Sequence, residues 1–205
     1  MYLVKSPLFL KWYYPQLTWN KSRDRKVIYL TFDDGPIPDV TEFALKTLKS
    51  FNAKATFFCI GDNIYKHPKI FESIKNDGHS IGNHTFNHLK GWITPDDQYL
   101  ENFQKCQVQT ESNLFRPPYG RIKKTQISAI RKAYPQLDII MWDVLSGDFD
   151  QQLTPEKCLN NVIKHSTNGS IVVFHDSLKA ADRMYFTLPK VLAHFSNLNY
   201  RFEKL

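Results

Sequence analysis

The chain has 205 residues, 42% apolar and 14% aromatic, which excludes a disordered or fibrous protein and allows one sizeable core. Its net charge of +7 is moderate, and the run "KSRDRK" (21–26) reads as a solvated linker, so no nucleic-acid partner is expected. No stretch reaches the roughly 18 uninterrupted apolar residues of a membrane span, so no transmembrane segment is expected.

Residues 1–26 read as an N-terminal flanking segment within a single domain that spans 1–205. The segment carries Trp12, Tyr13, Tyr14 and Trp19 but is broken by Lys5, Pro7, Lys11 and Pro15. It lacks the apolar core and cleavage site of a signal peptide, which favours the cytoplasm, with non-standard export or surface association left open. Its aromatics suit three uses: flanking or plugging the folded domain, stacking on the rings of a ligand, or meeting a membrane surface. Cys59, Cys106 and Cys158 are scattered and lack CxxC spacing, so packed, reduced thiols are expected.

From Val27 onward an apolar strand, a turn and an amphipathic helix recur. "VIYLTFDDGP" (27–36) is a strand that runs into paired aspartates. "IPDVTEFALKTLKSF" follows as a helix, with Asp39 and Glu42 spaced as a capping box. "KATFFCIG" is a strand, and "HPKIFESIKNDG" is a helix that starts near Pro68 and is stopped by Gly78. "HSIGN" is a strand, "PDDQYLENFQKCQVQTE" a helix, and "NLFRPPYG" a short strand broken at Pro117-Pro118. "IKKTQISAIRKAY" is helical and "LDIIMWDV" is a strand. "TPEKCLNNVIKHS" is a helix capped by Thr154 with Pro155 at its first position, and "SIVVF" is a strand. "TLPKVLAHFSN" and "YRF" form the last helix and strand. About seven strands alternating with about six helices give an α/β chain with parallel strands, best built as a small or distorted (β/α) barrel.

On that frame the polar residues gather at one end. Asp33 and Asp34 follow the first strand, and His84 and His88 follow the third. Arg116 and Tyr119 follow the fourth, Asp148 the fifth, and His175 and Asp176 the sixth. β/α barrels build active sites at these C-terminal strand ends. Two histidines with three residues between them can share a cation if the segment turns, and a carboxylate completes a facial triad. One aspartate then serves as ligand while the other stays ionised as a base. His175, across the mouth, is placed for a general acid. His67, His165 and His194 read as surface, capping or packing residues, and His79 has no convincing register with the pair.

"TFDDGP", "HTFNH", "RPPYG", "GDF" and "FHD", in this order, closely resemble the five motifs of the polysaccharide deacetylases, the NodB-homology or carbohydrate esterase family 4 domain. The resemblance runs from about Val27 to Asp176. It implies a metal-dependent hydrolase that removes acetyl groups from an N-acetylated sugar or polysaccharide. Asp33 would be the base, held by Arg116, and Asp34, His84 and His88 would bind the metal, most simply Zn2+, with Co2+ as a substitute. His175 would be the acid, supported by Asp148. The backbone around Tyr119 would serve the oxyanion, with Pro117 beside it, and Val173 and Phe174 would line the acyl pocket. Trp92 is a candidate ring-stacking wall.

The fourth motif departs from the family pattern. Leu145 stands where an acidic residue is common and Phe149 where tryptophan is, and Asp143 is a nearby acid that could compensate. Leu89 and Lys90 follow His88, where proline is common. These changes fall on the groove walls, so chitin oligomers, peptidoglycan, a lipid-linked sugar and a non-sugar amide all stay open as substrates. A non-haem iron oxygenase and a silent glycan-binding module are the readings from other classes.

Overall fold

The computed structural model describes residues 2–205. Seven parallel strands form a curled, half-open barrel. They are β1 (Val27–Asp33), β2 (Ala55–Cys59), β3 (Ser80–Asn83), β4 (Leu114–Phe115), β5 (Asp138–Ile139), β6 (Val144–Leu145) and β7 (Ile171–His175). Their order is β5-β4-β3-β2-β1-β7-β6, and the short β8 (Arg201–Phe202) adds in parallel to the start of β1. Among the described residues the helices are α1 (Leu8–Tyr13), α2 (Val40–Ser50), α3 (Gly61–Lys66), α4 (Pro68–Asn76), α5 (Asp96–Thr110), α6 (Lys124–Ala133), α7 (Pro155–His165) and α8 (Ala181–Asn197).

Strand alternation sorts the sheet into two faces. Phe32 stacks on Phe57 and Phe174 in the larger core cluster, which α2 and α8 cover with Leu48, Leu188 and Val191. Burying each such side chain contributes roughly 1.5–3 kcal/mol. Thr31 and Asp33 lie on the other, concave face, paired in register with Val173 and His175. Phe174 therefore faces the helices and cannot line an acyl pocket, whereas Val173 is buried on the concave face directly below His175.

Two expected elements differ, and two further helices were not expected. The run 137–144 is not one strand: β5 pairs with β4 and β6 pairs with β7, so its two halves join opposite ends of the sheet order. The last helix starts at Ala181 and carries Pro189 inside it, because burial of Met184 and Leu188 outweighs the missing cap and the lost N–H. α1 and α3 are short helices that carried no signal in the sequence pattern. The expected caps do form: the Glu42 carboxylate accepts from Asp39 N–H at 2.9 Å, and Thr154 Oγ1 accepts from Lys157 N–H.

Residues 4–20 run along the broken β5–β6 stretch. Thr18 N–H donates to Ile139, Ser6 N–H donates to Asp143, and Leu145 N–H donates to Val4. The Asp143 carboxylate is fully buried and accepts from Lys5, Lys11, Arg23 and Ser170 at 2.7–2.9 Å. Asp143 thus fastens the N-terminal segment beside the start of β7, at the end of the strands away from His175, and does not replace the missing acid of the fourth motif. Burial raises its carboxyl, but the four donors outweigh this and hold it well below the usual range. Asp143→Ala is expected to destabilise the fold by on the order of 2–3 kcal/mol in urea unfolding. That is less than the ~3–5 kcal/mol of a fully buried pair, because Lys5 and Arg23 keep over a third of their side chains in water. With the folded pKa depressed, this contribution is present above the unfolded pKa, near 4, and is lost as pH falls below it.

Candidate active site

β1 delivers two aspartates to different surroundings. Asp33 is buried, and its Oδ1 accepts from Arg116 Nη1 at 2.7 Å. Arg116 is itself fully buried. It also donates to Thr31 Oγ1 and to the carbonyls of Ile140 and Met141, and it lies over the Phe58 ring. A guanidinium with all three nitrogens engaged in a dry site is a rigid support. Burial pushes the Asp33 carboxyl above its ordinary range, and Arg116 opposes that rise.

Asp34 adopts a left-handed backbone (φ 86°), which turns its side chain away from that of Asp33. Asn63 of α3 donates to its carbonyl at 2.7 Å. Asp176 braces the next residue, accepting from Gly35 N–H at 3.0 Å and from Thr41 Oγ1 at 2.6 Å, while its own N–H donates to Asp33. Burial pushes the Asp176 carboxyl up to about 8. A Cβ on Gly35 would collide with this carboxylate, so the turn requires glycine.

The histidines come from the loop after β3, where Thr85 and His88 are also left-handed (φ 62° and 56°). The buried Asn83 side chain holds that loop, accepting from Thr85 N–H and donating to the Phe103 carbonyl. His84 Nδ1 sits 2.7 Å from the Arg116 carbonyl, which can only accept, so Nδ1 carries the proton and Nε2 offers its lone pair. His84 Nε2 and His88 Nε2 lie 3.8 and 3.2 Å from Asp34 Oδ1, and the three groups fall within one metal-sized cluster. Burial and the neighbouring His88 push His84 well below its usual pKa. Burial also lowers His88, against the pull of Asp34. Both are therefore neutral imidazoles, the ligand form. Asp34 Oδ1 is buried and accepts no hydrogen bond among the described residues. An orphaned carboxylate oxygen facing two imidazole nitrogens has the donor chemistry of a divalent-cation site.

His175 ends β7 in register with Asp33. Asp148 holds it twice, at 2.7 Å from both Nδ1 and the backbone N–H, and Phe149 packs edge-on against its ring. Burial opposes charge on His175, but Asp148 and the nearby aspartates outweigh it and push its pKa up to about 9. Nε2 thus carries a proton in the neutral range.

Tyr119 is exposed and left-handed (φ 60°) in the turn Pro118–Gly120, with its ring 4.6 Å from that of His88. Pro117 is buried, and its carbonyl accepts from Gly120, so it shapes this turn. Trp92 is half-exposed, donates to the Ile122 carbonyl and stacks under Arg121. His79 accepts from Ala55 N–H at the far end of the strands. The three cysteines are buried and free, and burial pushes the Cys106 and Cys158 thiols up to about 12. Sequence reading assigned no role to Asn63, Asn83 or Thr41. Only Asp176, inside "FHD", carried a signal.

The parallel half-barrel thus gathers at one end an Asp-His-His cluster that could hold a cation, an Arg-held carboxylate and an Asp-held histidine. The "Polysaccharide deacetylase" family model matches residues 20–136, and the chain belongs to that family. It is 34% identical over 91% of its length to a peptidoglycan-N-acetylglucosamine deacetylase of Bacillus cereus, covering 89% of that protein. It is 33% identical over 78% of its length to a chitooligosaccharide deacetylase of Azorhizobium caulinodans, covering 77% of that protein. A crystal structure of the Bc1960 peptidoglycan N-acetylglucosamine deacetylase superposes with a TM-score of 0.89 at 28% identity, over 98% of this chain and 95% of that one. The chain is thus a hydrolase of carbon–nitrogen bonds other than peptide bonds.

Proposed function

We propose that this chain removes N-acetyl groups from the amino sugars of a polysaccharide, with a divalent cation held by Asp34, His84 and His88. The observation that carries the reading is the orphaned Asp34 Oδ1 between two imidazole nitrogens, one residue from a base and across β1–β7 from an acid. Fold alone does not establish activity, but a module that merely bound glycan would need no base, acid or cation together. An oxygenase built on the same three ligands would have no use for Asp33 or His175.

A bound cation, Zn2+ or Co2+, supplies polarisation of the amide carbonyl and acidification of the attacking water. Asp33, ionised and fixed by Arg116, takes the proton from that water as its oxygen bonds to the carbonyl carbon. The Tyr119 backbone N–H donates to the oxyanion. The C–N bond then breaks, and His175 passes its Nε2 proton to the departing nitrogen, releasing acetate and a free amine. Asp148 keeps the ring in the orientation and charge state that this needs. Val173, on the concave face below His175, offers an apolar wall for the acetyl methyl, and the exposed rings of Tyr119 and Trp92 offer stacking surfaces for sugars. The named relatives favour peptidoglycan and chito-oligosaccharide as first substrates.

Acetate release from both should vanish after chelation and return with zinc or cobalt. Undiminished release from metal-free protein would refute the cation's part in the reaction. Hydrolysis confined to small non-sugar amides would refute the substrate class.

A further inference from the structure

A surface helix ordinarily hides its apolar side and shows its charges. α1 does the reverse. Leu8 is 80% and Trp12 84% exposed, Phe9 and Tyr13 are exposed beside them, and no residue of the helix is buried. Lys11 points inward to Asp143 and Asn20 at 2.8 Å, and Leu10 and Tyr14 pack on the smaller core cluster. The inward contacts fix which side shows, and the i, i+4 pairs Leu8–Trp12 and Phe9–Tyr13 form the outer face. Leu3, just upstream, is exposed as well.

The charge around this face is one-sided. Residues 1–26 hold six Lys or Arg and one Asp; Arg25 pairs with Glu203 and Lys26 lies over the Tyr200 ring, whereas Lys5, Lys11 and Arg23 meet beside α1. Lys5, Lys11 and Arg23 share the one Asp143 carboxylate, which leaves two positive charges over, and Lys124 Nζ lies 4.4 Å above the Tyr13 ring. We propose that α1 is a docking surface for an anionic lipid bilayer, with Leu8, Phe9 and Trp12 entering the interfacial layer. An anionic glycan would engage the lysines but has no use for three outward apolar side chains. A bilayer with anionic headgroups uses both, and tryptophan and tyrosine favour that interface. None of Leu8, Phe9 and Trp12 belongs to the catalytic or metal-binding groups, so the proposal stands independently of the hydrolase reading.

Co-sedimentation of the whole chain with vesicles tests it. The protein should pellet with vesicles of phosphatidylglycerol mixed with phosphatidylcholine, and this binding should weaken with added salt. Vesicles of phosphatidylcholine alone should bind at least about tenfold less. The Leu8→Ser/Trp12→Ser double variant should bind mixed vesicles about 10–100-fold less. Its melting temperature should be unchanged, since neither side chain enters the core. Equal binding by the double variant, or indifference of the wild-type chain to both vesicles, would overturn the proposal. So would self-association through this face without lipid binding, which would assign it to a second copy.

Discussion

Replacing His175 by alanine is expected to lower turnover by about 10²–10⁴, the usual contribution of a positioned general acid, with metal content unchanged. The pH profile carries the sharper distinction. Asp33 must be ionised, so the rate falls as pH drops through its raised pKa. His175 must be protonated, so the rate falls as pH rises through a pKa pushed up to about 9. Asp34 is one source of that rise, so with a cation bound to it the alkaline limb falls lower. His175→Ala should lose the alkaline limb and keep the acidic one. Asp148→Asn should shift the alkaline limb to lower pH, because it removes the carboxylate that favours the charged ring. Loss of metal in His175→Ala would make His175 a ligand and undo the assignment.

Much of this site was legible in the sequence because it rests on local rules. An apolar strand that runs straight into "FDDG" places two carboxylates at a strand end, and parallel βα alternation puts every such end on one side. The placing of Val173 and Phe174 together in the acyl pocket went against strand period, which sends Phe174 to the helix-covered face. What stayed hidden depends on distant partners or on backbone conformation. Nothing local in "LDIIMWDV" says that its first half pairs with β4 and its second with β7. Asp143 looked like a substitute acid because its three cations lie 120 to 138 residues away in sequence. Asn63 escaped notice because α3 opens at Gly61 with no side-chain cap. The convergence of His84 and His88 depends on left-handed residues that composition does not announce.

The two aspartates provide the largest contrast. Asp33→Asn keeps the shape of the side chain and leaves Asp34, His84 and His88 intact. Metal should remain bound while hydrolysis falls by at least the ~10²–10⁴ of a general base. Arg116→Ala loosens Asp33 but also strips donors from Thr31, Ile140 and Met141, so it should cost stability along with turnover. Asp34→Asn removes the only anionic ligand of the three, so metal affinity and activity should fall together. Metal content measured beside acetate release in Asp33→Asn and Asp34→Asn is therefore the decisive measurement. The division of labour predicts a metal-loaded, inactive Asp33→Asn protein and a metal-depleted, inactive Asp34→Asn protein. Equal metal loss in both, or near-normal turnover by Asp33→Asn, would contradict it.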